Sequence, residues 1–110
     1  RVKAYIDAHY TENITLESIA QAMGCSVPYL SHIFKEASGY APIQYVIRRR
    51  IGFAQTWLIS SDLPATKIAM MAGYDNTNYF NTLFKRTVGV SPIRYRKQYL
   101  ESLRGMRDQK

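Results

Sequence analysis

From Val2 onward the apolar residues recur three and four positions apart, and the runs are broken by glycine, proline and small capping residues. That period puts them on one face of a helix. In LESIAQAM the pattern opens after Thr15, a good N-cap, carries Glu17 at the positive helix end, and stops at Gly24. Ser26 caps a second run in which Leu30, Ile33, Phe34 and Ala37 share a face, closed by Gly39 ahead of Pro42. The same grammar returns later, with Pro64 at a helix start, KIAMMA running up to Gly73, and Asn76 as a cap. Phe80, Leu83, Phe84 and Val88 then face inward until Gly89. Between these pairs, PIQYVIRRRIGFAQTWLISSD has no internal proline and places Val46, Ile47, Ile51, Ala54, Leu58 and Ile59 at helical spacing. It reads as one long helix. Gly52 inside it weakens the helix by about 1 kcal/mol relative to alanine and is compatible with a bend or with a close-packing position, of which packing is the preferred reading. An opening helix over VKAYIDAHY and a closing helix from Pro92 to about Leu103 complete an all-α chain of about seven helices.

The two helix pairs are copies. FKEASGYAPIQY is followed fifty positions later by FKRTVGVSPIRY, and Tyr29, Phe34, Lys35, Gly39, Pro42, Ile43 and Tyr45 fall on Tyr79, Phe84, Lys85, Gly89, Pro92, Ile93 and Tyr95. Upstream the offset becomes forty-nine, matching Ile19, Ala20 and Gly24 to Ile68, Ala69 and Gly73, so the second copy carries one more residue in its turn. Two short helices joined by a glycine-containing turn form a helix-turn-helix, here written twice. The expected organisation is a first helix-turn-helix subdomain over 1–41, a linker helix over 42–61, and a second subdomain with a C-terminal tail over 62–110.

Composition narrows the chemistry. With 46% apolar and 13% aromatic residues in 110, the chain can bury a core. No stretch reaches the roughly 18 apolar residues of a membrane span, and no signal-peptide pattern opens it, which leads us to expect a cytoplasmic protein. Cys25 is the single cysteine and reads as a small turn residue. Fifteen Lys and Arg stand against eight Asp and Glu. The excess is uneven: residues 1–42 hold three basic and four acidic groups, residues 43–110 twelve and four. An anionic partner should therefore meet the second half hardest.

The stretch GYDNTNYFNTLFKRTVGVSPIRYR, with its aromatic pair, Phe-Lys, Gly, Pro and Tyr-Arg, resembles the C-terminal signature of the DNA-binding domain of the AraC/XylS family of bacterial transcription regulators. The likeness covers residues 1 to 103. It implies two helix-turn-helix subdomains bridged by a long helix, double-stranded DNA as partner, and contact with RNA polymerase where the protein activates. It also implies an effector-binding or dimerisation domain outside this chain.

Candidate contact residues follow from the helix faces and from the family positions they match. On the first recognition helix Pro28, Ser31, His32 and Lys35 lie opposite the core. On the second, Thr77, Asn78, Asn81, Thr82 and Lys85 point outward. Asparagine can bond adenine N6 and N7 together, whereas lysine suits phosphate. The base-contact candidates are thus Pro28, Ser31, His32, Thr77, Asn78, Asn81 and Thr82. The phosphate candidates are Lys35, Arg48, Arg49, Arg50, Lys85, Arg86, Arg94, Arg96 and Lys97. Arg48, Arg49 and Arg50 cannot all point one way, so at least one should pair with an acid or face solvent. Tyr29, Tyr45, Tyr79 and Tyr95 read as core and packing residues rather than stacking platforms.

Other chemistries fare worse. Cys25 and His32 lack a third partner for nucleophilic catalysis, and His9, His32 and Cys25 have no metal-ligand spacing. We assign no catalytic, cofactor or metal site. The alternative function is a basic helical module that docks RNA or an acidic protein surface.

Overall fold

The computed structural model describes residues 1–108, and among them seven α-helices and no strand. The first four are α1 (Val2–His9), α2 (Leu16–Met23), α3 (Val27–Ser38) and α4 (Pro42–Ser60), followed by α5 (Ala65–Met71), α6 (Thr77–Val88) and α7 (Pro92–Asp108). The expected capping residues sit where the helices begin. Thr15 Oγ1 accepts from the Ser18 N–H at 3.0 Å while Ser18 Oγ accepts from the Thr15 N–H at 2.9 Å, a reciprocal pair that satisfies two donors at the start of α2. Ser26 Oγ accepts from the Tyr29 N–H, and Asn76 Oδ1 from the Tyr79 N–H, at the starts of α3 and α6.

The added residue of the second copy lies in its turn. Gly24 at φ +69° and Gly73 at φ +108° occupy the left-handed region, where a side chain would be strained. Behind each glycine the chain closes with the same bonds: Cys25 N–H to Ala20 O at 3.0 Å, and Tyr74 N–H to Ala69 O at 2.9 Å. From there Cys25 alone leads to the cap Ser26, whereas Tyr74 and Asp75 lead to the cap Asn76. Asp75 is the insertion, and the offset changes from forty-nine to fifty across it.

The chain divides into two compact units, Arg1–Arg50 and Ile51 onward, so the boundary falls inside α4. The first unit buries Ile6, Ile19, Ala20, Leu30, Phe34 and Val46. The second buries Ile68, Ala69, Phe80, Leu83 and Phe84 among others. The repeat extends to ring geometry: Phe34 meets Tyr45 edge-on at 5.5 Å, and Phe84 meets Tyr95 edge-on at 5.6 Å.

Several details depart from the sequence expectations. Tyr29 and Tyr79 are 59% and 53% exposed, not core. The buried stripe of each recognition helix is narrow, centred on Leu30 and Phe34 or on Phe80, Leu83 and Phe84, and the tyrosine stands about 100° round the helix from its buried neighbour. On α3 the stripe also leaves out Ile33 and Ala37, both exposed, whereas Leu83, the counterpart of Ile33, is buried. Gly52 has open space where a Cβ would stand, so close packing does not explain it. The closing helix continues past Leu103 to Asp108, because Gly105 is flanked by strong helix formers and nothing there stops the helix.

Candidate nucleic-acid interface

Each unit presents one helix whose inner side is anchored and whose outer side is polar. On α3, Pro28, His32 and Lys35 are exposed and Ser31 is half-buried. His32 Nε2 lies 3.4 Å from Glu36 Oε2, one turn on, so a carboxylate stands beside this reading position. On α6, Asn78, Thr82, Lys85 and Arg86 are exposed, and Thr77 and Asn81 are half-buried. Thr82 donates its hydroxyl to the Asn78 carbonyl at 3.1 Å, which turns its oxygen back toward the helix backbone. The matched positions differ in charge at one place: Glu36 on α3 answers to Arg86 on α6.

The arginines divide into two groups. Arg50 donates from Nε to the Tyr10 carbonyl and from Nη2 to the Glu12 carbonyl at 2.7 Å. Arg96 donates from Nε to the Leu58 carbonyl at 2.8 Å and from Nη2 to the Ser61 carbonyl at 3.2 Å. Arg50 thus bonds the C-cap carbonyl of α1 and one in the turn that follows it, and Arg96 bonds carbonyls in the last turn of α4 and just beyond it. Arg49 pairs with Asp7 at 3.0 Å and lies over the Tyr10 ring at 4.6 Å. Arg48 lies over the Tyr40 ring at 4.9 Å and is exposed. Arg94 and Lys97 are exposed at the start of α7.

Asp7 also accepts from the Tyr45 hydroxyl at 2.7 Å. Burial, and after it the hydrogen bond and charge of Asp7, push the Tyr45 phenol above its ordinary value, with Arg49 pulling the other way. The sequence pattern did not show this cluster, because Asp7 and Tyr45 are far apart in the chain. It did contain the signal for the exposed tyrosines, as an identity between the copies, but an identity does not say whether a residue is buried.

Charge follows the units more evenly than the halves of the sequence suggested. With Arg48, Arg49 and Arg50 counted in the first unit, it carries six basic and four acidic residues, and the second carries nine and four. No helix among the described residues is long and apolar enough to cross a membrane.

Comparison with known proteins supports the same reading. The pattern of the helix-turn-helix domain family matches residues 19–98. The chain is 39% identical over 95 residues to the HTH-type transcriptional regulator YdiP of Escherichia coli K12, covering 86% of this chain and 31% of that protein. It is 34% identical over 94 residues to the HTH-type transcriptional activator RhaS of Escherichia fergusonii, covering 86% and 34%. Among solved structures, the C-terminal domain of AraT, a response regulator from Geobacillus stearothermophilus, superposes with a TM-score of 0.87 at 38% identity, covering 89% of this chain and 82% of that one. The DNA-binding domain of AdpA, a global transcriptional factor solved in complex with a target DNA, superposes at 0.86 with 29% identity, covering 99% and 95%. The chain spans about a third of the length of the curated relatives YdiP and RhaS. Two capped helix-turn-helix units with outward polar faces, a basic surface and these relatives make one assignment: the chain belongs to the AraC/XylS family of helix-turn-helix transcription regulators, as its DNA-binding domain.

Proposed function

We propose that this domain reads double-stranded DNA in a sequence-specific way, with α3 and α6 each entering one of two successive major grooves. The observation that carries this is the matched pair of recognition helices. A major groove about 12 Å wide admits one helix, and two helices held by one chain can take two grooves. Asn78 and Asn81 act as the principal base readers, with Pro28, Ser31, His32, Thr77 and Thr82 making smaller contacts. Lys35, Arg48, Lys85, Arg86, Arg94 and Lys97, all exposed, neutralise phosphate. Arg49, Arg50 and Arg96, which the sequence reading placed on phosphate, serve instead to hold their own units together. Their bonds to Asp7 and to helix-end carbonyls support that role.

In the whole protein the domain works beside an effector-binding or dimerisation domain and touches RNA polymerase where it activates. The name of RhaS, an activator, favours activation over repression. The protein acts in the cytoplasm and is not an enzyme. A relative from Bacillus subtilis, AdaA, is named both activator and DNA repair enzyme, and this chain covers 46% of it.

The test is selection of bound duplexes from random DNA, followed by gel shifts against RNA and acidic protein competitors. Enrichment of two half-sites, with competition by the selected duplex at far lower concentration than by RNA, is the expected result. Equal competition by RNA, or no enriched sequence, would overturn the proposal and favour a basic docking module.

A further inference from the structure

Tyr29 and Tyr79 hold the same place in the two copies, three residues after the caps Ser26 and Asn76, and each is more than half exposed. Their backbone N–H groups are held by those caps, so the helix start that carries each ring is fixed. The next residue in each case, Leu30 or Phe80, is fully buried. Tyr79 is braced on one side by Tyr74, whose ring lies 6.0 Å away edge-on. Tyr45, by contrast, gives its hydroxyl to Asp7, whereas among the described residues neither the Tyr29 nor the Tyr79 hydroxyl has a protein acceptor.

Their direction is set by the helix. At about 100° per residue, each tyrosine stands roughly 110° round from the middle of the outward face formed by Pro28, Ser31, His32 and Lys35, or by Asn78, Asn81, Thr82 and Lys85. A helix about 10 to 12 Å across nearly fills a groove about 12 Å wide. When its outward face meets the base edges, side chains about a quarter-turn or more away meet the sugar-phosphate wall. Tyrosine is long enough to reach that wall from the first turn and offers a neutral O–H donor, one of the groups that bond phosphate oxygens.

We infer that Tyr29 and Tyr79 are a matched pair of phosphate clamps: each hydroxyl donates a hydrogen bond to a backbone phosphate, one in each groove, and sets how its recognition helix is seated. The inference rests on the proposed reading of α3 and α6. It adds residues that are neither charged nor base-reading, and it explains why both copies carry tyrosine on a solvent-facing flank.

The experiment compares the intact domain with Tyr29→Phe, Tyr79→Phe and the double variant on the selected operator. Each single change should weaken binding roughly ten- to a hundredfold, the range of one hydrogen bond to a charged acceptor. The double change should lose about the product of the two. Because a hydroxyl releases no counterion, the slope of log affinity against log salt should stay that of the native domain. The base preference recovered by selection should not change. Scanning the operator with single methylphosphonates should find, for each tyrosine, one position at which native binding falls and the Phe variant loses nothing further. Thermal midpoints should match the native domain, since both rings are exposed. A Phe variant that binds like the native domain, shifts base preference, or melts lower would overturn the inference. Asn81→Ala and Lys85→Ala run alongside: if they behave as base and phosphate readers while the Phe variants are silent, only the clamp fails, and if they do not, the reading of the helix face fails with it.

Discussion

Asn81 and Lys85 stand one turn apart on the outward side of α6, yet their chemistry assigns them different work. An amide can satisfy a donor and an acceptor on one adenine, so Asn81→Ala should relax preference at one base pair and cost about 1 to 3 kcal/mol on the selected operator. An ammonium on a flexible stem sees phosphate in any sequence. Lys85→Ala should therefore weaken specific and random duplexes alike and lower the salt slope by about one. Equal loss on both duplexes for Asn81→Ala would remove its base-reading role. Inside the first unit, Tyr45 has a titration consequence. Its phenol is raised in the folded state, chiefly by burial and then by Asp7, so folding holds that proton more tightly than the unfolded chain does. The contribution is whole below the ordinary phenol value of about 10 and is lost as pH rises through the folded value. Tyr45→Phe should cost about 0.5 to 1.5 kcal/mol at neutral pH and flatten the loss of stability above about pH 10. Denaturant titrations at pH 7 and above pH 10 check both, and parallel curves for the two proteins would exclude the Asp7 bond as a contributor.

At the level of elements, α3 and α6 share a capping geometry and a length but not charge. Lys35 is followed by Glu36, whereas Lys85 is followed by Arg86. On random duplex at low salt, Glu36→Gln should strengthen binding by no more than about 1 kcal/mol, because the group is exposed, and Arg86→Gln should weaken it by a similar amount. No response to either change would place this flank of both helices away from the phosphates. The long helix α4 gives a prediction about stability. Gly52 is helical, has open space where a Cβ would be, and loses more backbone freedom on folding than alanine would. Gly52→Ala should raise stability by about 1 kcal/mol, read from the shift of the denaturation midpoint at unchanged slope. A loss of stability would mean that the glycine serves a bend after all.

For the whole molecule, the proposal turns on spacing. If one uninterrupted helix carries the two units, their half-sites should lie about 10 to 10.5 base pairs apart, one turn of the duplex. Inserting about five pairs turns one groove to the far side, and binding should fall toward that of a single unit. Inserting ten restores the face but roughly doubles the separation to about 70 Å, while the 19 residues of α4 span only about 28 Å. Affinity on the ten-pair operator should therefore stay low. Recovery at ten would show the units to be flexibly joined.

The sequence by itself determined the seven helices, their caps, the doubled motif and even the turn that holds the extra residue. These are local matters: a cap bonds a backbone N–H three residues on, a left-handed glycine ends a helix where it stands, and a repeat copies both. Helical period also identified most of the buried stripe and the outward residues of α3 and α6. Only the tertiary structure decided which of several equivalent residues does which task. Arg48, Arg49 and Arg50 are adjacent and alike in sequence, but the end of α1 takes up Arg50, Asp7 takes up Arg49, and Arg48 is left exposed on Tyr40. Ile33 and Leu83 are one position repeated, yet one is 40% exposed and the other 5%. Tyr29 and Tyr79 show identity across the repeat, which by itself suggests core, while their rings are more than half exposed. Burial and pairing depend on what another element brings to the same place, and residues distant in the chain make those contacts only once the helices have packed.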